Sequence, residues 1–337
     1  MTRRAIVMVN LGGPNSLEAV EPFLRELFRD PAIIRLPVFL REPLAWWIAK
    51  RRRSKSQAIF KAIGGYSPLL ENTQAQAQAL EHHLGDEFRV FIAMRYWHPF
   101  TAETLKEVID YKPDQVILLP LYPQFSTTTT ASSLLCWTHE AQKMNFNCPT
   151  STVGCYYTHE KFIDAVVDLI KKSSKDIQDL SSYHLLFTAH GLPERIVQQG
   201  DPYQRQVEAT VEAVYHKLNS SMPYTISYQS RVGPLKWIGP SCEQEIQRLG
   251  QESKNIFLIP IAFVSEHSET LYELDIQYKA LAQESGVSAF IRVPTVETHP
   301  LFIECLADLV KSALQKEIFY CSTQCLPCWC QNLKKVS

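Results

Sequence analysis

The feature that most constrains the fold of this chain is an almost unbroken apolar run at residues 256–264. A strand with one face in water alternates apolar and polar side chains, whereas a strand covered on both faces reads as a continuous hydrophobic segment. The run is long enough for one such strand. It therefore predicts a parallel sheet with helices on both faces.

Similar apolar runs recur along the chain, separated by helical or loop crossovers. Four fall in each half, at residues 4–11, 88–95, 115–121 and 150–154, and at residues 184–190, 224–229, 256–264 and 288–293. A chain of 337 residues exceeds what one hydrophobic core usually sustains. We therefore expect an α/β fold of two doubly wound, Rossmann-like domains, each with a four-stranded parallel sheet, and a ligand cleft between them.

The domain boundaries follow from the order of these elements. We expect an N-terminal domain of residues 1–150 plus 300–316, a C-terminal domain of residues 151–299, and a cysteine-rich tail at residues 317–337.

Composition narrows the classes of function. The net charge is −1, whereas a surface for duplex nucleic acid needs an excess of Lys and Arg, so we expect no nucleic-acid partner. The chain has no apolar run long enough to span a membrane, and its start lacks the pattern of a signal peptide. These observations predict a cytoplasmic protein, whose nine cysteines are thiols or ligands rather than disulfides.

Acidic side chains follow the 256–264 run at helical spacing. Glu266, Glu269 and Glu273 lie at successive i+3 and i+4 steps, which in a helix places their carboxylates on one face. Ligands of open α/β sheets bind just beyond the carboxyl ends of the strands, where this segment begins. With His267 beside them, the acidic residues indicate a cation site or a proton relay. The alternative is an ordinary acidic first turn, which the helix macrodipole favours.

A second histidine ends another predicted strand. His190 closes residues 184–190, and within one α/β domain it would face the same crevice as the acidic residues. A histidine at a strand end is otherwise a hydrogen-bonded structural residue. The residues alone leave both interpretations open.

Residues 33–53, which we call the lip segment, combine large apolar side chains with a basic end. Trp46 and Trp47 run directly into Lys50 and residues 51–53, which are all arginine. The segment can lie on an anionic membrane surface, giving peripheral membrane contact, or form the lip of a pocket for a flat apolar ligand that bears carboxylates. It can also be a helix packed on its own domain with a solvated basic end.

Several motifs, in order along the chain, resemble those of the ferrochelatase family. They are Leu11-Gly12-Gly13-Pro14, Tyr122-Pro123-Gln124, Thr188-Ala189-His190-Gly191-Leu192-Pro193, Gly200-Asp201-Pro202-Tyr203, Gln229-Ser230-Arg231-Val232-Gly233-Pro234 and residues 265–275. The resemblance extends from residue 4 to about residue 315. It implies a lyase that inserts Fe(II) into a porphyrin.

The resemblance also implies residue roles. His190 and Glu269 fall on the catalytic positions, and Glu273 joins them as a residue that meets the metal. Arg95, Tyr96 and Trp237 fall on positions that bind the porphyrin. One departure is Glu266, which stands where animal members usually carry Asp.

The expected substrates are protoporphyrin IX and ferrous iron, which give protoheme in heme biosynthesis. Coproporphyrin III is the alternative substrate, and a tetrapyrrole carrier without catalysis is the alternative class of protein. The sequence leaves the oligomeric state open.

The tail carries a dense cluster of cysteines, Cys321, Cys325, Cys328 and Cys330. Some ferrochelatases hold a 2Fe–2S cluster with C-terminal cysteines and one distant cysteine, but Thr127 stands at the place of the distant ligand here. The ligands would then be the four tail cysteines, or three of them and another such as Cys155. A four-cysteine set also suits tetrahedral zinc, and unligated thiols are the third interpretation.

Overall fold

The computed structural model describes residues 2–230 and 235–315, together with the backbone of residues 319–321. The chain divides into two compact units, and each is described separately below. The first comprises Met1–Cys155 and the chain from Leu306 onward, and the second comprises Tyr156–Cys305.

The strands are named in chain order. They are β1 (Arg4–Asn10), β2 (Phe88–Met94), β3 (Gln115–Pro120), β4 (Thr150–Cys155), β5 (Tyr183–His190), β6 (Tyr224–Gln229), β7 (Asn255–Pro260), β8 (Phe290–Arg292) and β9 (Phe319–Cys321).

The helices are named in the same way. They are α1 (Val20–Phe28), α2 (Val38–Ala62), α3 (Leu69–Leu84), α4 (Thr101–Tyr111), α5 (Thr130–Lys143), α6 (Glu160–Ser174), α7 (Glu194–Gln198), α8 (Tyr203–Leu218), α9 (Cys242–Gln251), α10 (Lys279–Glu284) and α11 (Pro300–Gln315), with a π-helix at Glu269–Tyr278.

The first unit is built on a parallel sheet in the order β2-β1-β3-β4-β9. Ala5, Val7 and Val9 of β1 are almost fully buried, and they pack with Leu105 and Trp137 into one hydrophobic core. The winding direction reverses between β1 and β3, so the carboxyl ends of these strands and of β2 form the edge at which ligands of such sheets bind.

The second unit repeats this strand order as β6-β5-β7-β8, again parallel throughout. Its core joins Leu186, Ile256 and Leu258 of the central strands to Ile246 of α9 and Leu274 of the π-helix. Because β5 and β7 are hydrogen-bonded neighbours, their carboxyl ends open onto the same edge of the sheet. This is the edge at which His190 and the acidic segment lie.

The predicted α/β fold with two four-stranded parallel sheets is confirmed, and the first sheet is extended by the short strand β9. Two details differ from the sequence-based expectation. The 256–264 run forms a strand only as far as Pro260, and the following acidic segment forms a π-helix rather than an α-helix. Glu266 precedes that helix, so it does not share a helix face with Glu269 and Glu273.

The lip segment leads into α2 and forms its first half. Phe39 is 74% exposed, and Trp46 and Trp47 are about half exposed. The ammonium of Lys50 lies 4.9 Å from the ring centroid of Trp46, and the Arg51 guanidinium lies 5.3 Å from that of Trp47. Apolar and basic groups therefore share one solvent-facing surface. Among the described helices, none is both long enough and apolar enough to cross a membrane.

Candidate active site

The site in the second unit is centred on a contact between β5 and the π-helix. His190 Nδ1 lies 2.9 Å from Glu269 Oε2, and the two side chains are 38% and 26% exposed. Burial lowers the pKa of His190, but the charge of Glu269 and its hydrogen bond outweigh burial, so the pKa of His190 is raised. Burial raises the pKa of Glu269, but His190 outweighs it and lowers that pKa to about 2. The carboxyl group is therefore ionised at physiological pH.

A glycine permits the close packing next to His190. A Cβ on Gly191 would lie 2.9 Å from the carbonyl oxygen of Gln229 and 3.3 Å from Cε3 of Trp237. Any larger residue would push apart the ends of β5 and β6. The half-buried ring of Trp237 thus packs directly against the turn that follows His190. A backbone bridge between Pro193 and Trp237 holds this loop in place.

Glu273 follows Glu269 about one turn further along the π-helix, and its carboxylate accepts hydrogen bonds from a separate set of groups. Ser230 donates to it from both its backbone N, at 2.9 Å, and its Oγ, and Tyr278 Oη donates at 2.9 Å. Burial and the charge of Glu269 raise the pKa of Glu273, and the side-chain hydrogen bonds from Ser230 and Tyr278, with the charge of His190, only partly offset them. Glu273 is therefore the more easily protonated of the two carboxylates.

Tyr278 connects Glu273 to a third carboxylate. Its Oη lies 2.9 Å from Oε1 of Glu273 and 3.0 Å from Oε1 of Glu243. A phenol has one proton and can donate to only one carboxylate at a time. If Glu273 or Glu243 is protonated, that carboxyl group donates to Tyr278 Oη and the phenol donates to the other carboxylate, so both contacts become hydrogen bonds. The three groups are therefore suited to hold one proton and pass it between the two carboxylates.

His267 lies near the pair but has a different environment. Its ring packs edge-on against Phe263 at 4.7 Å between centroids, and its Nδ1 is buried with no hydrogen-bond partner among the described residues. Burial lowers the pKa of His267, although Glu269 and Glu266 oppose this effect. The imidazole is therefore kept neutral, which preserves a lone pair for a proton or a metal ion.

Glu266 serves a structural role in this arrangement. Its Oε1 accepts hydrogen bonds from Arg292 Nη1 and from the backbone N of Thr295. Arg292 also donates to both carboxylate oxygens of Asp275. This network links the loop before the π-helix to β8. Glu266 therefore does not share one helix face with Glu269 and Glu273, contrary to the prediction from the sequence.

Arg95 and Tyr96 lie side by side in the first unit, directly after β2. The Arg95 side chain is 19% exposed, and its guanidinium lies 4.9 Å from the ring centroid of Tyr96. Tyr96 is 0% exposed, and its Oη donates to Asp30 Oδ2 at 2.8 Å. Tyr96, which the resemblance implies as a porphyrin-binding residue, is thus buried, whereas the side chain of Arg95 is partly exposed.

Metal-binding geometry is absent from the part of the chain that the structure describes. No group of three or more His, Cys, Asp and Glu side chains there is arranged to hold a metal ion. His190 and Glu269 touch, while Glu273 is engaged by Ser230 and Tyr278. The side chains of the tail cysteines lie outside the described residues.

Solved structures place this fold in a known class. SirB from Bacillus subtilis, a sirohydrochlorin chelatase, aligns with a TM-score of 0.55 at 10% identity, covering 93% of this chain and 96% of SirB. A multi-domain protein from Deinococcus radiodurans with structural similarity to chelatases aligns with a TM-score of 0.52 at 12% identity, covering 93% of this chain and 55% of that protein. The fold is thus that of the chelatases.

Sequence comparison then identifies the family. The model of the ferrochelatase family matches residues 3–314. The ferrochelatase of Caulobacter vibrioides is 49% identical over 96% of this chain and 94% of its own length, and that of Pelagibacter ubique is 46% identical over 91% and 90%. The chain belongs to the ferrochelatase family, whose members are lyases that insert iron into porphyrin. The predicted family and enzyme class are confirmed.

Sequence reasoning missed several residues that contact the candidate residues of their own unit, Asp30 in the first unit and Glu243, Tyr278 and Ser230 in the second. Asp30, Glu243 and Tyr278 act through contacts between segments distant in the chain, for which the sequence gives no periodic signal. Ser230 had a signal in its motif, but its role as a donor to Glu273 depends on its left-handed backbone, with φ 63°.

Proposed function

We propose that this ferrochelatase inserts Fe(II) into protoporphyrin IX and forms protoheme, with His190 as the proton acceptor. The observation that carries the residue assignment is the 2.9 Å contact between His190 Nδ1 and Glu269 Oε2. Metallation removes two protons from pyrrole nitrogens and delivers a divalent ion to the same atoms. The site must therefore supply both a base for the protons and donor groups that can contact a divalent ion.

The contact with Glu269 supports a separate role for each nitrogen of His190. When the imidazole is neutral, its Nδ1–H donates to the carboxylate, and this leaves the lone pair on Nε2 free to accept a pyrrole proton. After the transfer, the imidazolium faces an ionised Glu269, which stabilises it and accounts for the raised pKa of His190. Glu269 thus orients the base before the transfer and compensates its charge afterwards.

The acidic residues are proposed to move protons and guide the metal. Glu273 has a raised pKa and is linked through Tyr278 to Glu243, so it can take up a proton released at His190 and pass it on. We propose that His190, Glu269 and Glu273 contact Fe(II) transiently.

The porphyrin is proposed to be bound by Arg95 and Trp237, with Tyr96 acting through its neighbours. Trp237 packs beside the turn after His190, where an aromatic ring can stack on a pyrrole close to the base. An enzyme of this kind favours a distorted macrocycle with exposed nitrogen lone pairs, because that shape resembles the transition state. The cleft between the domains stays a prediction of the sequence.

The substitution His190→Ala tests the catalytic assignment. Loss of a positioned base costs about 10²–10⁴-fold in turnover, so we expect zinc insertion at saturating porphyrin to fall by that factor while the protein stays folded. His216→Ala on α8, an exposed histidine of the same unit, is the matched control. Wild-type turnover in H190A would refute the role of His190 as acceptor.

The choice of porphyrin is tested by turnover of protoporphyrin IX and coproporphyrin III side by side on the wild-type protein. We expect a higher kcat/KM for protoporphyrin IX. A preference for coproporphyrin III would keep the chelatase activity and change the product assigned here.

We also propose that the lip segment makes peripheral contact with an anionic membrane. Phe39, Trp46 and Trp47 expose apolar surface next to Lys50 and Arg51, which is the combination that interfacial helices use. A porphyrin is poorly soluble in water, and contact with a membrane would give the enzyme access to porphyrin dissolved there. We propose a cytoplasmic location for the protein, as its sequence predicts.

For the tail we propose a 2Fe–2S cluster held by Cys321, Cys325, Cys328 and Cys330. The spacing of the four cysteines supports this proposal. The backbone pairing of β4 with β9 sets Cys321 opposite Cys155, which keeps Cys155 as an alternative ligand. No step of the metallation chemistry involves this group.

A further inference from the structure

A buried carboxylate in the first unit joins segments that are distant in sequence. The side chain of Asp30 is 2% exposed. Its Oδ2 accepts hydrogen bonds from Arg95 Nη2 at 2.7 Å and Tyr96 Oη at 2.8 Å, and Ser132 Oγ donates to the same oxygen. Burying a carboxylate is costly unless a cation and hydrogen bonds compensate it, and Asp30 has both.

The other oxygen of Asp30 organises the start of the lip segment. Oδ1 accepts from the backbone N of Ala32 at 2.7 Å, and the Asp30 carbonyl accepts from the backbone N of Ile33 and of Ile34. The turn that leads from α1 towards α2 is therefore built around this one residue. Asp30 therefore connects the N-terminal end of the lip segment, which we call its root, to Arg95 and Tyr96 at the carboxyl end of β2.

The same network fixes the guanidinium of Arg95. Its Nε donates to Ser132 Oγ at 2.8 Å and its Nη2 donates to Asp30, so two of its three nitrogens are held. Across residues 2–230 and 235–315, no hydrogen bond to Nη1 of Arg95 is found. The side chain is 19% exposed, and the Nη1 hydrogens, which Asp30 and Ser132 do not engage, can donate to a substrate.

We propose that Asp30 is a positioning residue for the porphyrin: it holds Arg95 so that Nη1 is directed at the substrate, and it ties this orientation to the root of the lip segment. The inference rests on the proposed role of Arg95 in porphyrin binding and deepens it. Because Asp30 neutralises the guanidinium, the pair offers oriented N–H donors rather than a net positive charge. That chemistry suits a largely apolar macrocycle with localised nitrogen and oxygen acceptors.

The test is a double-mutant cycle on the full-length protein, with zinc insertion into protoporphyrin as the assay. The variants are Asp30→Asn, Arg95→Gln and the pair together, each with kcat and KM for porphyrin. A misplaced substrate-binding group costs about 10- to 100-fold, so we expect each single variant to lose that much kcat/KM. If Asp30 acts through Arg95, adding D30N to R95Q lowers kcat/KM by less than about twofold further.

A merely structural role gives a different result. Lower stability reduces the folded fraction by the same factor in both backgrounds, so the two losses would multiply, and KM of the folded enzyme would not change. Multiplicative losses, or wild-type kinetics in D30N, would overturn the inference. Thermal unfolding of each variant measures the stability effect independently, and Asp110→Asn on the surface of α4 is the control.

A second cycle covers the case in which D30N does not fold. Ser132→Ala removes the acceptor of Arg95 Nε and one donor to Asp30, and it leaves only a small gap in α5. We expect S132A to reduce kcat/KM severalfold alone and not at all in the R95Q background. Equal losses in both backgrounds would overturn the inference while metallation by the wild type still stands. A wild-type protein that metallates no porphyrin would instead refute the proposed function.

Discussion

At the level of single residues, the imidazole of His190 and the carboxylate of Glu269 shift each other's pKa in opposite directions. Burial disfavours the charged form of both groups, and the 2.9 Å contact outweighs burial for both. The pair therefore combines a base of raised pKa with a carboxylate that stays ionised. Glu273, whose pKa burial and the charge of Glu269 raise, can receive the proton next.

The substitution Glu269→Gln removes the negative charge of Glu269 and keeps the size of its side chain, so it tests the effect of the charge alone. The amide keeps a hydrogen bond to His190 Nδ1 but loses the charge that raises the pKa of His190, so burial then lowers that pKa. We expect the acidic limb of the pH profile of kcat to move to lower pH, because His190 stays neutral there. We also expect kcat at the optimum to fall about 10- to 100-fold, with a smaller change in porphyrin affinity.

The measurement is kcat and KM for zinc insertion across the pH range, with Glu284→Gln at the end of α10 as the control. An acidic limb that stays in place would show that Glu269 does not set the protonation of His190. A large loss of porphyrin affinity with kcat preserved would make Glu269 a substrate-binding group instead.

The sequence predicted which residues stand at strand ends but not how their side chains are partnered. His190 was found because a parallel sheet presents the ends of its strands at one edge, and Arg95 was found through the resemblance to the ferrochelatase family. The burial of Tyr96 could not be found this way, because it depends on Asp30, a residue 66 positions away. Long-range partners of this kind leave no local pattern in a sequence.

At the level of elements, the π-helix is the feature that sequence reasoning assigned wrongly, as an α-helix. The spacing of Glu269 and Glu273 fits both kinds of helix, so the acidic residues did not distinguish them. Thr270, Leu274, Tyr278 and Ala282 are all buried and recur at intervals of four. A strict four-residue repeat exceeds the 3.6-residue period of an α-helix, and it is the signal that favours a wider helix with i→i+5 bonds.

Tyr278→Phe tests whether the π-helix carries protons outward. The hydrogen bond from Tyr278 lowers the pKa of Glu273 against the stronger effect of burial, so its removal raises that pKa further. Glu273 must be ionised to accept a proton, so we expect Y278F to reach full kcat only at a higher pH than the wild-type protein. Below the new pKa the loss of kcat should be about tenfold.

The pH profile of kcat for zinc insertion measures this shift, and Tyr272→Phe on the same helix is the matched control. A profile of Y278F that moves to lower pH, or that matches the wild type, would remove Tyr278 from the proposed proton path.

The surface of α2 makes the membrane proposal testable by flotation on vesicles. Phe39→Ser and Trp47→Ser remove exposed apolar groups, so we expect both variants to fold normally and to bind anionic vesicles less well. Lys50→Gln and Arg51→Gln should each weaken binding about fivefold, since a basic residue near such a surface contributes about 1 kcal/mol. Leu235→Ser, at an exposed apolar residue of the second unit, is the control. Equal flotation on neutral and anionic vesicles would contradict the role of the basic residues.

At the level of the whole molecule, the apolar runs were sufficient to predict two parallel sheets, because a strand buried on both faces is continuous in hydrophobicity. Both sheets place the second strand outside the first, as β2-β1-β3-β4 and β6-β5-β7-β8. The fifth strand of the first sheet, β9, is three residues long and has no periodicity to detect. It nevertheless places the backbone of Cys321 at the edge of the first sheet, next to β4.

That placement allows the proposed ligand set of the tail to be tested. If the four tail cysteines hold a 2Fe–2S cluster, anaerobically purified protein contains iron and labile sulfide and shows the visible absorption and, once reduced, the EPR signal of the cluster. Cys328→Ser should then lose the signal and the sulfide together, because thiolate is the ligand that iron–sulfur clusters require. Cys155→Ser should keep both, although Cys155 is paired with Cys321 across β4 and β9. Cys148→Ser, at a half-buried thiol of the first unit, is the control. Loss of the cluster in C155S would show that Cys155 is a ligand in place of one of the four tail cysteines. Zinc without labile sulfide in the wild-type protein would show that the tail holds no iron–sulfur cluster.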